Sequence, residues 1–391
     1  MLYSTKMVTT SSLSIHMDEV DSALIRRAIK SGGSVETSSG RETRKLEDDQ
    51  HHPPPSILPI DVRSPRLRDA SGLRHLRPLY RLDQPDSLLV PFSPMRAGLA
   101  ASLPGGQRRR PAFVALAGDR LVGFAQFEIG AWDQRWHAVA LGASVGVFEA
   151  EPVWETILTQ AVRAAGLRGV KRLFARVPIG EPINRAFRRL GWSPYAGETL
   201  FAATDPPPRR QQTRSIRSQV PVDTWAIHQL YSAVVPHEVQ AAEAFTSHVW
   251  DLNGSGGTRR SVRQQSWVMI DGHQLIGYVS TRCRDDSHVI EVLSLPERRA
   301  ILPDLLAMAT GSLPKGSRPR VYCAVRGYQA ETATALEASG FVPILEQDLL
   351  VKYTTAPVLA PVTESVEFHV EARDPLPKRV PTFLQGQPGD R

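Results

Sequence analysis

Two tandem α/β domains, each a mixed and mostly antiparallel sheet flanked by helices, are what this sequence predicts. Three observations carry the prediction. The stretch FVALAGDRLVGFAQF (113–127) aligns without gaps with WVMIDGHQLIGYVST (267–281), placing Gly123 on Gly277. The helix ending INRAFRRLGW (183–192) returns as TATALEASGF (332–341), with Gly191 matching Gly340. Between the copies lies TDPPPRRQQTRS (204–215), whose prolines forbid both helix and sheet pairing and mark a linker. Two motifs in the same order at nearly the same separation indicate a duplication.

The elements follow in chain order. Residues 1–58 are rich in Ser, Thr, Gly and charge and end in HHPPPS, so they are expected to be a disordered extension, with a short helix around MDEVDSALIRRAIK. The first domain spans 59–205, a Pro/Arg-rich linker 206–217 and the second domain 218–356. A flexible tail, 357–391, carries one strand-like piece, SVEFHVEA. Each domain opens with helical stretches: DASGLRHLRPLYR in the first, DTWAIHQLYSAVV and HEVQAAEAFTSHVW in the second. The repeated hairpin follows, two apolar strands around a Gly-containing turn. Next comes a third strand, WHAVALGAS or HVIEVLSL. A long helix then leads to a strand, PVWETILTQAVRAAG to VKRLFARV and RRAILPDLLAMAT to RVYCAV. The repeated helix, closed by a left-handed glycine, and a final strand (GETLFAAT, ILEQDLLVKYT) complete each copy.

Composition narrows the class. Among 391 residues, 41% hydrophobic and 22% charged content is that of a soluble globular chain. No apolar run approaches the roughly 18 residues of a transmembrane helix, and the N-terminus lacks the apolar core of a secretory signal, so a cytoplasmic protein without membrane contact is expected. Cys283 and Cys323 sit in apolar strand-like runs and read as buried free thiols, with no metal-ligand set. The net charge of +7 permits a polyanionic partner. The arginine clusters QRRR (107–110) and PRRQQTRSIR (208–217) lie beside turns or the linker and read as solvated loops. No basic stripe interleaves with aromatics, which disfavours nucleic acid. The sequence sets no oligomeric state.

The element order, with a hairpin around LVGF or LIGY and a last helix ending LGW or SGF, resembles the GCN5-related N-acetyltransferase (GNAT) family in a tandem arrangement, of which the mycothiol synthases are one example. The resemblance implies a third strand that splays from its neighbour and pairs with the pantetheine arm of acyl-CoA. It also implies a following helix whose N-terminal amides and glycines hold the pyrophosphate. Both copies depart from that motif. The second keeps Arg298 and Arg299 but has Ile301 and Pro303 where the glycines belong, and the first has Glu149, Glu151 and Glu155 around the helix start, which would repel a pyrophosphate. The family's general acid, a Tyr four residues before the helix-ending glycine, is Phe187 in one copy and Leu336 in the other, with Tyr195 and Tyr328 nearby.

The same resemblance assigns the expected roles. Glu291, on the third strand of the second copy, is the expected catalytic base; the matching strand of the first copy offers only His137. The main chain of Leu293 and Leu295 is expected along the pantetheine arm, with Arg298, Arg299 and the Ala300 amide at the pyrophosphate. Asn184, two residues before Ala186, fits the family's arm-contacting asparagine, and Ala333 replaces it in the second copy. The expected activity is therefore N-acyl transfer from acetyl-CoA or another acyl-CoA, as co-substrate, to an amine of a small molecule or peptide, with the second domain active. The alternative is a non-catalytic tandem pseudo-acetyltransferase that binds a ligand or partner. The stretch DLNGSGGTRRSVRQQ (251–265) reads as a flexible surface connection.

Overall fold

The computed structural model describes residues 59–130, 135–144, 150–204, 216–252, 262–313 and 320–354. The expected helix at MDEVDSALIRRAIK, the SVEFHVEA strand and nearly all of the linker lie outside them. The first half runs β1 (Ile60–Arg63), α1 (Ala70–Leu73), β2 (Leu79–Arg81), α2 (Pro94–Ser102), α3 (Gly106–Arg109), β3 (Ala112–Ala117), β4 (Arg120–Ile129) and β5 (Arg135–Ala143). It continues through α4 (Ala150–Leu167), β6 (Arg172–Pro178), α5 (Pro182–Arg189) and β7 (Ser193–Ala203). The second half runs β8 (Ile216–Ser218), α6 (Asp223–Val234), α7 (His237–Glu243), β9 (Arg263–Asp271), β10 (Gln274–Arg284) and β11 (Ser287–Ser294). A 3-10 turn (Pro296–Ile301), α8 (Leu302–Gly311), β12 (Arg320–Arg326), α9 (Ala330–Ala338) and β13 (Val342–Tyr353) complete it.

All thirteen described strands join one sheet, ordered β1-β3-β4-β5-β6-β13-β7-β12-β11-β10-β9-β8, with β2 lying against β5. The halves meet by exchanging their last strands. β13, from the second half, pairs with β6 of the first, while β7, from the first, pairs with β12 of the second. β13 and β7 also pair with each other at the centre. Among the described strand pairs only β5–β6 and β11–β12 are parallel. Helices cover both faces, so the central strands need no polar side: α4 and α5 pack on one face of the first half, α8 and α9 on the matching face of the second.

Both repeated motifs have physical reasons. A Cβ on Gly123 would stand 2.5 Å from Val153 Cγ1, and one on Gly277 would stand 2.7 Å from Ile301 Cδ1. The glycine therefore lets the segment after the third strand press onto the hairpin. At the helix ending, Gly191 and Gly340 take φ of 71° and 83°. The Trp192 N–H bonds to Phe187 O at 3.2 Å and the Phe341 N–H to Leu336 O at 3.0 Å. This is a Schellman cap in both copies. Phe187 packs edge-on against Trp192 at 4.8 Å; the positions where the GNAT family carries its tyrosine are filled here by the cap's apolar staple.

A third repeat opens each half. Arg63 grips the Asp69 carboxylate through two nitrogens at 2.7 and 2.9 Å, and Asp69 also accepts the Arg66 N–H at 2.6 Å. Arg217 grips Asp223 at 2.7 Å through both nitrogens, and Asp223 accepts the Val220 N–H at 2.8 Å. The same clamp at the same place in both halves supports the duplication.

Several expected elements are corrected. DASGLRHLRPLYR is not one helix: α1 ends at Leu73 and LYR becomes β2, because Pro78 removes the N–H a helix would need. HEVQAAEAFTSHVW is helical only to Glu243; Ala244 turns left-handed at φ 41° and a 3-10 turn follows at Ser247–Trp250. RRAILPDLLAMAT starts as a 3-10 turn with a kink at Arg298 before α8 takes over. The stretch expected as a surface connection already enters β9 at Arg263. Cys283 and Cys323 are free and buried. Among the described residues no helix is long and apolar enough to cross a membrane.

Candidate active site

β11 reads SHVIEVLS, and Glu291 is the one carboxylate in an otherwise mostly apolar strand. Strand alternation sends Ile290 and Val292 to the α8/α9 face, and Val289, Glu291 and Leu293 to the opposite face, which α6 covers. There Glu291 enters a cavity of about 250 Å³. The cavity exists because β11 and β12 part. They pair in parallel only from Ser287–Arg320 to Ile290–Cys323, and then diverge. Trp250 forms part of an aromatic wall, its ring 5.7 Å from Tyr231 and 5.6 Å from Tyr278.

The cavity straddles the two halves. Arg176 of β6 and Glu198 of β7 line it together with Glu243, Arg282, Glu291, Arg326 and Tyr328 of the second half. Strand exchange sets Glu198 directly opposite Arg326. Arg326 bonds Glu198 at 2.8 Å and Glu243 at 2.9 Å, Arg176 bonds Glu198 at 3.1 Å, and Tyr231 donates to Glu243 at 2.8 Å. Glu198 and Glu243 are 4% exposed, so the network is a satisfied buried one that fixes geometry. Among the described residues Glu291 alone of these carboxylates has no ion pair or hydrogen bond. Glu291 is exposed into the cavity, whose walls crowd its carboxylate. Burial raises its pKa above the usual carboxylate range; Arg282 and Arg326 oppose that, Asp86 adds to it and Arg176 opposes it. Tyr328 borders the same cavity, and burial foremost holds its phenol protonated.

The wedge between β11 and β12 is bridged by one side chain. Gln329 accepts the Arg326 N–H at 3.0 Å and donates to Val292 O at 3.4 Å. The main chain that faces the wedge is therefore that of Val292 and, by alternation, Ser294. The Leu295 N–H is taken by Ile276 O at 3.4 Å, and Leu293 shares its direction toward β10. The expected arm-pairing residues, Leu293 and Leu295, are corrected by one position: the strand's parity turns their amides away. Beyond the wedge, Arg298 pairs with Asp271 at 3.2 Å, while Arg299 and Ala300 are exposed on the 3-10 turn. Neither guanidinium has a glycine cradle beside it.

The first half has the same wedge, and its own chain fills it. β5 and β6 pair only from Arg135–Arg172 to His137–Phe174. β2 then runs antiparallel along β5, Leu79 opposite Gly142 and Arg81 opposite Ala140. Leu82 completes the seal: its N–H bonds Val139 O at 2.9 Å and its carbonyl accepts the Arg176 N–H at 3.0 Å. These are the edges a pantetheine arm would use, so the first half does not fit acyl-CoA. The acidic helix start is neutralised locally: Glu151 pairs with Arg185 at 2.7 Å and Arg189 at 3.0 Å, and Glu155 with Arg189 at 3.3 Å. Glu149 lies outside the described residues.

Asn184 does not face the open wedge. Its carboxamide donates to Asp348 of β13 at 2.9 Å and accepts from Arg188 at 3.2 Å, which pins α5 to the exchanged strand. The expected cofactor contact is replaced by a structural one. His137 stacks on Phe174 at 5.3 Å. Burial, then the Arg176 and Arg135 charges, lower its pKa to about 4, so it is a neutral ring at pH 7. Tyr195 is pushed up to about 12, chiefly by burial, and lies edge-on to Phe174 at 6.0 Å. Sequence reasoning missed Arg176, Glu198 and Asp86, because strand exchange and the sealed wedge bring them to the site.

No family model matches the chain and no curated protein does. Among solved structures it is similar to a GCN5-related N-acetyltransferase from Sphaerobacter thermophilus, at 13% identity over 76% of this chain and 96% of that one, TM-score 0.46. A tandem GNAT protein from the clavulanic acid biosynthesis pathway is 13% identical over 76% and 99%, TM-score 0.44. A GCN5-related N-acetyltransferase from Anabaena variabilis is 10% identical over 76% and 73%, TM-score 0.42. In its own geometry, two hairpin-led halves of one sheet, each with a parallel pair that splays, the chain has the GNAT-type α/β fold in tandem.

Proposed function

We propose that this protein is an acyl-CoA-dependent N-acyltransferase acting on a small amine, with its second half as the active one. One contrast carries the reading: the first wedge is filled by β2 and Leu82, whereas the second opens onto a cavity where Glu291 stands unpaired. A cavity of about 250 Å³ falls below the range of roughly 300–1,000 Å³ typical of drug-sized ligands, which favours a small-molecule acceptor over a folded protein.

In this reading acetyl-CoA, or another acyl-CoA, lies with its arm against Val292 and its phosphates toward Arg298 and Arg299. Glu291 takes a proton from the amine, whose nitrogen attacks the thioester carbonyl carbon. The carbon–sulfur bond breaks and the departing thiolate takes the Tyr328 proton. Placing donor and acceptor at one apex supplies much of the acceleration. Its raised pKa makes Glu291 a stronger base than an ordinary carboxylate.

Calorimetry of the full chain with acetyl-CoA is expected to show one site per chain. Glu291→Gln is expected to keep that binding and to lower kcat by about 10²–10⁴ on an amine panel. Two sites per chain would overturn the sealed-wedge argument. No binding at millimolar acetyl-CoA would return the chain to the reading of a non-catalytic binding module.

A further inference from the structure

Glu291 has a cation on the next strand that ought to quench it. β10 and β11 set Ser280 opposite Glu291 and Arg282 opposite Val289, so Arg282 and Glu291 are diagonal neighbours on the cavity face. Such neighbours stand about 7–8 Å apart, an easy reach for an arginine, and opposite charges so placed attract. Yet the Arg282 guanidinium is bonded to Asp86.

Asp86 comes from the first half. It begins a short 3-10 turn, Asp86–Leu88, a few residues after the Leu82 that seals the first wedge. The Ser87 N–H bonds Asp83 O at 3.3 Å and the Leu89 N–H bonds Asp86 O at 3.1 Å, so the segment that closes one wedge is anchored where it meets the other cavity.

We infer that Asp86 is a positioning residue for Glu291: it holds the Arg282 guanidinium off the carboxylate and so keeps the base unpaired. The inference rests on the reading of Glu291 as base. The remaining groups facing Glu291 do not replace Arg282. Arg326 of β12 and Arg176 of β6 are engaged by Glu198 of β7 and Glu243 of α7. Tyr278 of β10, Tyr231 of α6 and Tyr328 are all held neutral, foremost by burial.

The test uses the full-length chain with ¹³C-labelled glutamate carboxyls. The Glu291 resonance is assigned by its loss in Glu291→Gln and titrated alongside the pH dependence of kcat/KM. Asp86→Asn is expected to lower the Glu291 pKa by about one pH unit or more, and to move the acid limb of kcat/KM down with it. Asp86→Asn combined with Arg282→Gln is expected to return the titration to near its original midpoint. An unchanged Glu291 midpoint in Asp86→Asn would overturn the inference, as would a fall that persists in the double variant. A chain that shifts as expected but transfers no acyl group overturns the acyltransferase reading and leaves the coupling standing.

Discussion

Asp69 and Asp223 show what one residue contributes to each half. Each carboxylate is 7% exposed or less, and each accepts two guanidinium bonds and a main-chain N–H. Arg217's hydrogen bonds foremost hold the Asp223 pKa below the usual carboxylate range, against the opposing effect of burial. A depressed folded pKa gives stability that is fully present above the unfolded value, about 3.9, and is lost as pH falls through the lower folded value. Asp223→Asn is therefore expected to cost about 1–2 kcal/mol at pH 7, partial exposure of Arg217 keeping the figure modest. Urea titrations should show the gap to the parent closing as pH falls below the ordinary carboxylate value, about 3.9; a gap independent of pH would refute the ionic account. The clamp was legible in principle, since VRSPRLRD and IRSQVPVD share Arg-Ser and an Asp at one spacing. Glu291 was legible as the sole charge in an apolar strand. Asp86 and the Asn184 partner were not, because Arg282 and Asp348 lie 196 and 164 residues away in the chain.

Among the elements, the hairpins and capped helices were readable because their causes are local. The glycine shared by LVGF and LIGY was visible as a motif, but its reason, a helix pressed onto the strand, is not local. The two copies differ in how they press. A Cβ on Gly123 would stand 2.5 Å from Val153 Cγ1, a β-branched side chain on a helix with little rotamer freedom, whereas one on Gly277 would stand 2.7 and 2.9 Å from the ends of Ile301 and Leu305. Gly123→Ala is expected to destabilise by about 2–3 kcal/mol and Gly277→Ala by about 1 kcal/mol. Thermal unfolding of the pair checks the order, and equal losses would show that the helix start after β11 is no more yielding than α4. β2 escaped the sequence reading because LYR sits in a helical hydrophobic pattern, and only Pro78 argues against it. Its partner, β5, is distant in sequence.

At the scale of the molecule, strand exchange makes the halves mutually dependent. β13 fills the place between β6 and β7, and β7 the place between β13 and β12. Nothing local in GETLFAAT or ILEQDLLVKYT says which copy each will complete, since both are equally apolar strands; the duplication was readable and the crossing was not. The full chain is expected to unfold in one transition with coincident probes. Fragments spanning 59–204 and 216–354 are each expected to lack a cooperative transition alone and to regain one on mixing. A cooperatively folded 216–354 fragment would show that β13 can close its own half.

The crossing also has a consequence for synthesis. β6 and β7 leave the ribosome early, but the strand that belongs between them is the last described element to emerge. At translation rates of about 5–20 residues per second, two unpaired edges wait on the order of ten seconds for it. An uncovered strand edge recruits foreign strands, so the nascent first half is expected to be the stage most open to wrong pairing.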